Sequence, residues 1–201
     1  MNKILVAVSS FAIAFAIATP SADAAGRVKA GGAKANAAGG VTGGRASAAR
    51  GPNGGGAVRG RGYTTDGQGN ARAASGGAYQ GPNGGTGARA SGTTWASDGS
   101  VQHQGGAQWN GQNSSGSTQG GVTRNADGTV SGGRHTSATG AQGGSYNADT
   151  SYDNGTLNRN ADATGRSGNS YESTTTGTKG EGATRTATCY DPSGAVIPCK
   201  K

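Results

Sequence analysis

Turn-forming tetrads recur along this 201-residue chain at a step of about fourteen residues, the punctuation of a β-meander or a β-solenoid built from short hairpins. They run Gly51-Pro52-Asn53-Gly54, Asp66-Gly67, Gly81-Pro82-Asn83-Gly84, Asp98-Gly99, Gly111-Gln112-Asn113-Ser114, Asp127-Gly128, Gln142-Gly143-Gly144 and Asn154-Gly155. Asp-Gly and Asn-Gly supply the positive φ that two-residue hairpin turns require, and Pro-Asn-Gly presets the opening φ of a tight turn. Between the turns the side chains alternate with a period of two. Val101, His103, Gly105, Ala107 and Trp109 fall on one face of their segment, with Gln102, Gln104, Gly106, Gln108 and Asn110 on the other. Tyr146, Ala148, Thr150 and Tyr152 repeat the pattern. Each segment brings about one large residue, at Tyr63, Tyr79, Trp95, Trp109, Val122, Tyr146, Leu157 and Tyr171.

So few large side chains exclude an ordinary two-layer globule. Val, Ile, Leu, Trp and Tyr occupy only 17 positions among residues 25–201, while the whole chain holds 42 glycines, so the entropy lost on ordering is high and the apolar area offsetting it is small. Such a chain either stays disordered or orders through main-chain hydrogen bonds in a long, regular ladder. The clearest internal repeat sets residues 51–80 against 81–110: Gly-Pro-Asn-Gly-Gly recurs thirty residues later, and Tyr63-Thr-Thr-Asp-Gly is answered by Trp95-Ala-Ser-Asp-Gly. Two strands per repeat is the simplest account. Gly76-Gly77, Gly105-Gly106, Gly120-Gly121 and Gly132-Gly133, inside strands, are expected to mark bulges or close backbone approach.

The expected organisation has four parts. Residues 1–24 read as an export signal, with Lys3, an apolar run over 4–17 and the small-residue site Ala22-Asp23-Ala24. Residues 25–50 carry only Val28 and Val41 as larger apolar groups and read as a disordered, basic Gly/Ala arm. Residues 51–182 form the β-repeat region. Residues 183–201 end in Cys189-Tyr-Asp-Pro-Ser-Gly-Ala-Val-Ile-Pro-Cys199, where a type I turn between two cysteines of an exported chain predicts a disulfide clasping a hairpin. The mature chain shows no transmembrane segment, which places it in the periplasm, at the cell surface or outside the cell.

The formal net charge is +8, and the excess is concentrated early. Arg27, Lys29, Lys34, Arg45, Arg50, Arg59 and Arg61 all precede Asp66, the first acid after the signal. They are the candidate contacts for a polyanion such as acidic polysaccharide or extracellular nucleic acid. Catalytic, metal and cofactor signals are lacking at this level. His103 and His135 have no ligand partner at metal-binding spacing and read as solvent-facing sheet residues. The ten carboxylates are scattered singly, mostly in turns, and no serine sits in a nucleophile elbow, so the chain reads as a non-enzyme.

Gln104-Gly-Gly106-Ala-Gln-Trp-Asn110, Gln119-Gly-Gly121-Val-Thr-Arg-Asn125 and Gln142-Gly-Gly144-Ser-Tyr-Asn147 resemble the Gln and Asn spacing of curli-type secreted amyloid subunits. That resemblance implies self-association, with Gln104, Asn110, Gln119, Asn125, Gln142 and Asn147 stacking in ladders. Two functions from different classes follow. One is a structural protein that self-associates or coats the cell surface or matrix through exposed edges and one aromatic face. The alternative is a polyanion-binding protein that uses the basic N-terminal arm.

Overall fold

The computed structural model describes residues 25–199, so the expected export signal at 1–24 lies outside the described residues, as do Lys200 and Lys201. The chain is all-β. Its strands are β1 (Gly26–Ala35), β2 (Val41–Arg50), β3 (Gly56–Thr65), β4 (Ala71–Gln80), β5 (Thr86–Trp95), β6 (Val101–Asn110), β7 (Ser114–Arg124), β8 (Val130–Gly140), β9 (Ser145–Asp153), β10 (Thr156–Thr164), β11 (Ser170–Thr178), β12 (Gly182–Tyr190) and the short β13 (Val196–Ile197). They form one antiparallel sheet in chain order, a meander and not a solenoid. The sheet is open, with β1 and β13 at opposite ends. No described helix is long and apolar enough to cross a membrane.

The sheet is a single layer. Strands touch only their neighbours in sequence. Ala148, 5% exposed, is the one buried hydrophobic residue among those described, so order rests on the ladder of main-chain hydrogen bonds and on side chains packed against adjacent strands.

Strand starts at Gly26, Val41, Gly56, Ala71, Thr86 and Val101 are fifteen residues apart, ten in the strand and five in the turn. Eight turns share one construction, at 36–40, 51–55, 81–85, 96–100, 125–129, 140–144, 165–169 and 191–195. In each, the fourth residue donates its N–H to the first carbonyl, and the first N–H reaches the fifth carbonyl. The fourth residue is always a glycine at positive φ, such as Gly54 at 82° or Gly99 at 86°. This is a type I turn followed by a left-handed glycine, whose twist suits antiparallel strands. The expectation of two-residue turns at every Asp-Gly and Asn-Gly is therefore corrected: Asn154-Gly155 alone has both central residues at positive φ, 42° and 98°. Elsewhere, as at Asp98-Gly99 and Asp127-Gly128, the pair fills the third and fourth places of the longer turn. The shorter connections at 111–113 and 154–155 lower the average step towards fourteen.

Residues 25–50, expected as a disordered arm, form β1 and β2, paired with each other over ten residues and with β3 beyond. The physical reason is Asn36. Its Oδ1 accepts from the N–H groups of Ala38 and Gly40, and its Nδ2 donates to the Thr65 carbonyl at 2.8 Å, tying the first turn to the end of β3. The internal glycine pairs produce no bulge, because pairing stays one-to-one through them. They mark close approach instead: a Cβ at Gly120 would lie 2.4 Å from the Gly133 carbonyl oxygen, and one at Gly132 would lie 2.5 Å from that of Gly121. At the far end Cys189 and Cys199 are disulfide-bonded, with Cα atoms 5.3 Å apart, holding β13 against β12.

Candidate functional site

Residues directly opposite each other in an antiparallel sheet share a face, so the registers link strand to strand into rows that cross the whole sheet. One row runs Gly31, Arg45, Arg61, Ser75, Ser91, Gly105, Gly120, Arg134, Thr150, Arg159, Thr175, Arg185. The parallel row two residues away on the same face holds Lys29, Arg59 and Arg89. Outside these lie two rows richer in large side chains. One contains Tyr79, Trp109, Tyr146 and Tyr171 with Arg27, and the other contains Tyr63, His103, Val122, Tyr152 and Leu157. Trp95 and Arg124 occupy the row at the margin.

This face therefore bears ten strand cations, and no strand carboxylate among the described residues lies on it. Asp149, Asp153, Asp162 and Glu172 all fall on the opposite face, with Lys34, Arg50 and Arg72. Rows on one face are about 6.7 Å apart and strands about 4.8 Å apart, so the arrangement is a cationic track flanked by aromatic rails. The rings are available for contact: Tyr63 is 47% exposed, Tyr79 54% and Trp95 38%.

Glycine fixes the rings in place. The Tyr79 ring lies over Gly87, where an added Cβ would meet Cε1 at 2.3 Å, and the Tyr63 ring lies over Gly43, where it would meet Cε1 at 2.9 Å. A flexible aromatic thus becomes a plate held against a neighbouring strand. All eight large residues read from the sequence as one per segment fall on this face. The alternation read for Val101–Asn110 and Ser145–Asp153 matches the registers.

Of the seven candidate polyanion contacts, Arg27, Lys29, Arg45, Arg59 and Arg61 lie on the cationic face, whereas Lys34 and Arg50 lie on the other. They are strand residues, not parts of an arm. Arg89, Arg124, Arg134, Arg159 and Arg185 complete the face and do not stand out in the sequence, because only the register shows that they belong together.

Near the C-terminal end the track widens into a shallow cavity of about 240 Å³, lined by Tyr146, Arg159, Ala161, Tyr171, Ser173, Thr175 and Arg185. Arg159 Nη2 donates to the Tyr146 hydroxyl at 2.6 Å, and Arg185 donates to the Tyr171 hydroxyl. The Arg185 guanidinium also stands 5.9 Å from the Tyr171 ring centroid. The Tyr171 hydroxyl is held below the usual tyrosine value, first by its hydrogen bond with Ser173 and then by Arg185, with the charge of Arg159 adding to it.

The remaining candidates lie outside the cavity. His103 shares a 2.7 Å hydrogen bond with Thr93, and His135 meets Asp149 at 2.8 Å on the opposite face. No three His, Cys, Asp or Glu side chains converge as a metal site among the described residues. Gln104, Asn110, Gln119 and Asn147 lie on the opposite face in four different rows, and Asn125 and Gln142 lie in turns, so they form no ladder within the chain. Comparison with protein-family models, with curated proteins and with solved structures returned no match.

Proposed function

We propose that this is an exported surface protein that binds anionic polymers by laying its cationic, aromatic face against them. The observation that carries this reading is the segregation of charge: ten strand cations share one face and the four strand carboxylates share the other. Without acids nearby, the cations are not neutralised within the sheet, and the field above that face attracts and orients a polyanion. The flat aromatic plates add stacking area beside the charge. The binding element is thus the sheet itself and not a detachable arm.

The test is retention of the mature chain on a heparin column as salt is raised. Arg45→Gln with Arg61→Gln, on the cationic face, is expected to elute at clearly lower salt, while Lys34→Gln with Arg50→Gln, on the other face, elutes close to the parent. Equal loss from both pairs would show that net charge alone is responsible and would end the reading.

A second reading, self-association into a surface coat, is favoured by one feature. Among the described residues β1 pairs only with β2, and all ten of its residues are exposed, so within the described sheet its outer row of backbone donors and acceptors faces away from any strand. Sedimentation of the purified chain tests it: a monomer at high concentration excludes it.

A further inference from the structure

We infer that the face is matched to a linear acidic polysaccharide bearing one anionic group per disaccharide, and that the C-terminal cavity is where its anionic groups are held. The inference rests on the polyanion-binding reading and narrows it to one class of polymer. It begins from the row that reads Arg134, Thr150, Arg159, Thr175, Arg185 on β8 to β12. Arginine appears on every second strand, which sets the cations two strand spacings apart, roughly 9.6 Å. Each gap is filled by a neutral threonine hydroxyl. A polymer whose charged and uncharged units alternate presents the complementary sequence: an anion at each arginine and hydroxyl groups at each threonine.

The flanking row has the same period. Tyr146 on β9 and Tyr171 on β11 stand one strand before Arg159 and Arg185, and each tyrosine hydroxyl accepts a hydrogen bond from its arginine. Ala148, Ala161 and Ser173 form the low floor between tyrosine and arginine rows. Two equivalent Tyr–Arg units therefore lie side by side, each with a guanidinium pre-oriented by a phenol and with donors left for an incoming oxyanion. No described carboxylate competes, since the salt bridge formed among the described side chains joins His135 to Asp149 on the other face. A single-stranded nucleic acid carries a charge at every unit, with no neutral unit between charges. It would leave most of its phosphates between arginines, and its fit to an alternating row is poor.

The experiment uses the full mature chain and fluorescence titration with three probes of equal total charge. They are hyaluronan oligosaccharides, with one carboxylate per disaccharide; oligogalacturonate, with one per monosaccharide; and single-stranded DNA. Hyaluronan is expected to bind most tightly. Arg159→Gln with Arg185→Gln should weaken it about tenfold, the loss of two solvent-exposed ion pairs, while circular dichroism stays unchanged. Tyr146→Phe with Tyr171→Phe should give a smaller loss, and Lys34→Gln with Arg50→Gln none. A second readout follows the phenol: a carboxylate bound at Arg185 offsets the cation that favours the Tyr171 phenolate, so the ionisation of Tyr171, seen by ultraviolet absorbance, moves to higher pH. Affinity that simply increases with charge density, DNA and oligogalacturonate included, overturns the matched spacing and leaves polyanion adsorption intact. Failure of all three probes to bind removes both.

Discussion

The indole ring of Trp109 lies over Gly116 on the adjoining strand, so close that a Cβ built at Gly116 would stand 2.5 Å from Cζ2 of the ring and 2.5 Å from the Ser137 carbonyl oxygen. The ring can tilt away, but the Ser137 main chain belongs to β8 and is held in its ladder. Gly116→Val is therefore expected to destabilise the sheet by about 1–3 kcal/mol, as overpacking does. Chemical denaturation followed by circular dichroism checks it. Gly54→Asn, at a left-handed turn position with no atom near its Cβ, is the mild comparison.

Arg45 and Arg61 are directly opposite across β2 and β3, a like-charge pair that a sheet selected only for stability would avoid. Arg61→Glu turns repulsion into attraction and is expected to stabilise the fold by about 0.5 kcal/mol. The same change should lower retention on heparin. Asp162 and Glu172 form the acidic counterpart across β10 and β11 on the other face. Glu172→Lys should gain a similar amount without weakening heparin binding. If Arg61→Glu kept full retention, the cationic face would not be the binding surface.

Acid should loosen the turns before it disturbs the strands. Asp66 is held below the usual carboxylate value by the Asn70 side chain and then the Gln68 N–H, and Asp127 by the Thr129 side chain and then its N–H. Asp98 and Asp191 are lowered in the same way by Ser100 and Ser193. A carboxyl whose folded value is depressed contributes stability that is complete above its unfolded value of about 3.9 and is lost as pH falls through the folded value. Thermal unfolding temperatures should thus be level above about pH 5 and decline below about pH 4. Asp66→Asn with Asp127→Asn, whose amide oxygens can still accept, should flatten that decline.

Reducing the Cys189–Cys199 bond should free β13 and leave the rest paired. β13 contributes only the pairs Cys189 with Ile197 and Tyr190 with Val196, too few to hold without the crosslink. Closing so short a loop contributes about 2–3 kcal/mol, and the effect should stay local because β12 touches only β11 and β13. Hydrogen exchange after reduction should rise at residues 189–199 and hold steady in β3 to β9. Loss of protection across the whole sheet would contradict this.

Much of the fold is legible in the sequence because turns and alternation are local properties. Gly54, Gly84 and Gly99 announce reversals, and the side of Trp109 or Tyr146 follows from counting within its own strand. What escapes is whatever depends on register. Arg45 and Arg134 are far apart in sequence, and nothing local says that both fall in one row; a slip of one residue would put either on the opposite face. Residues 25–50 escape for a different reason. Their alanines and glycines print no period, and the turn at 36–40 begins with Asn36 and ends in Gly39-Gly40, without the Asp-Gly or Pro-Asn-Gly pattern of the turns at 51–55, 81–85, 96–100 and 125–129.

Because each strand contacts only the strands before and after it, the molecule has no keystone. Excising one thirty-residue unit, such as 51–80, would join like turn to like turn and keep every later side chain on its original side, yielding a shorter ribbon of the same make. Duplicating that unit would lengthen it equally well. Descendants of such a gene can vary in copy number as a tape measure varies in length.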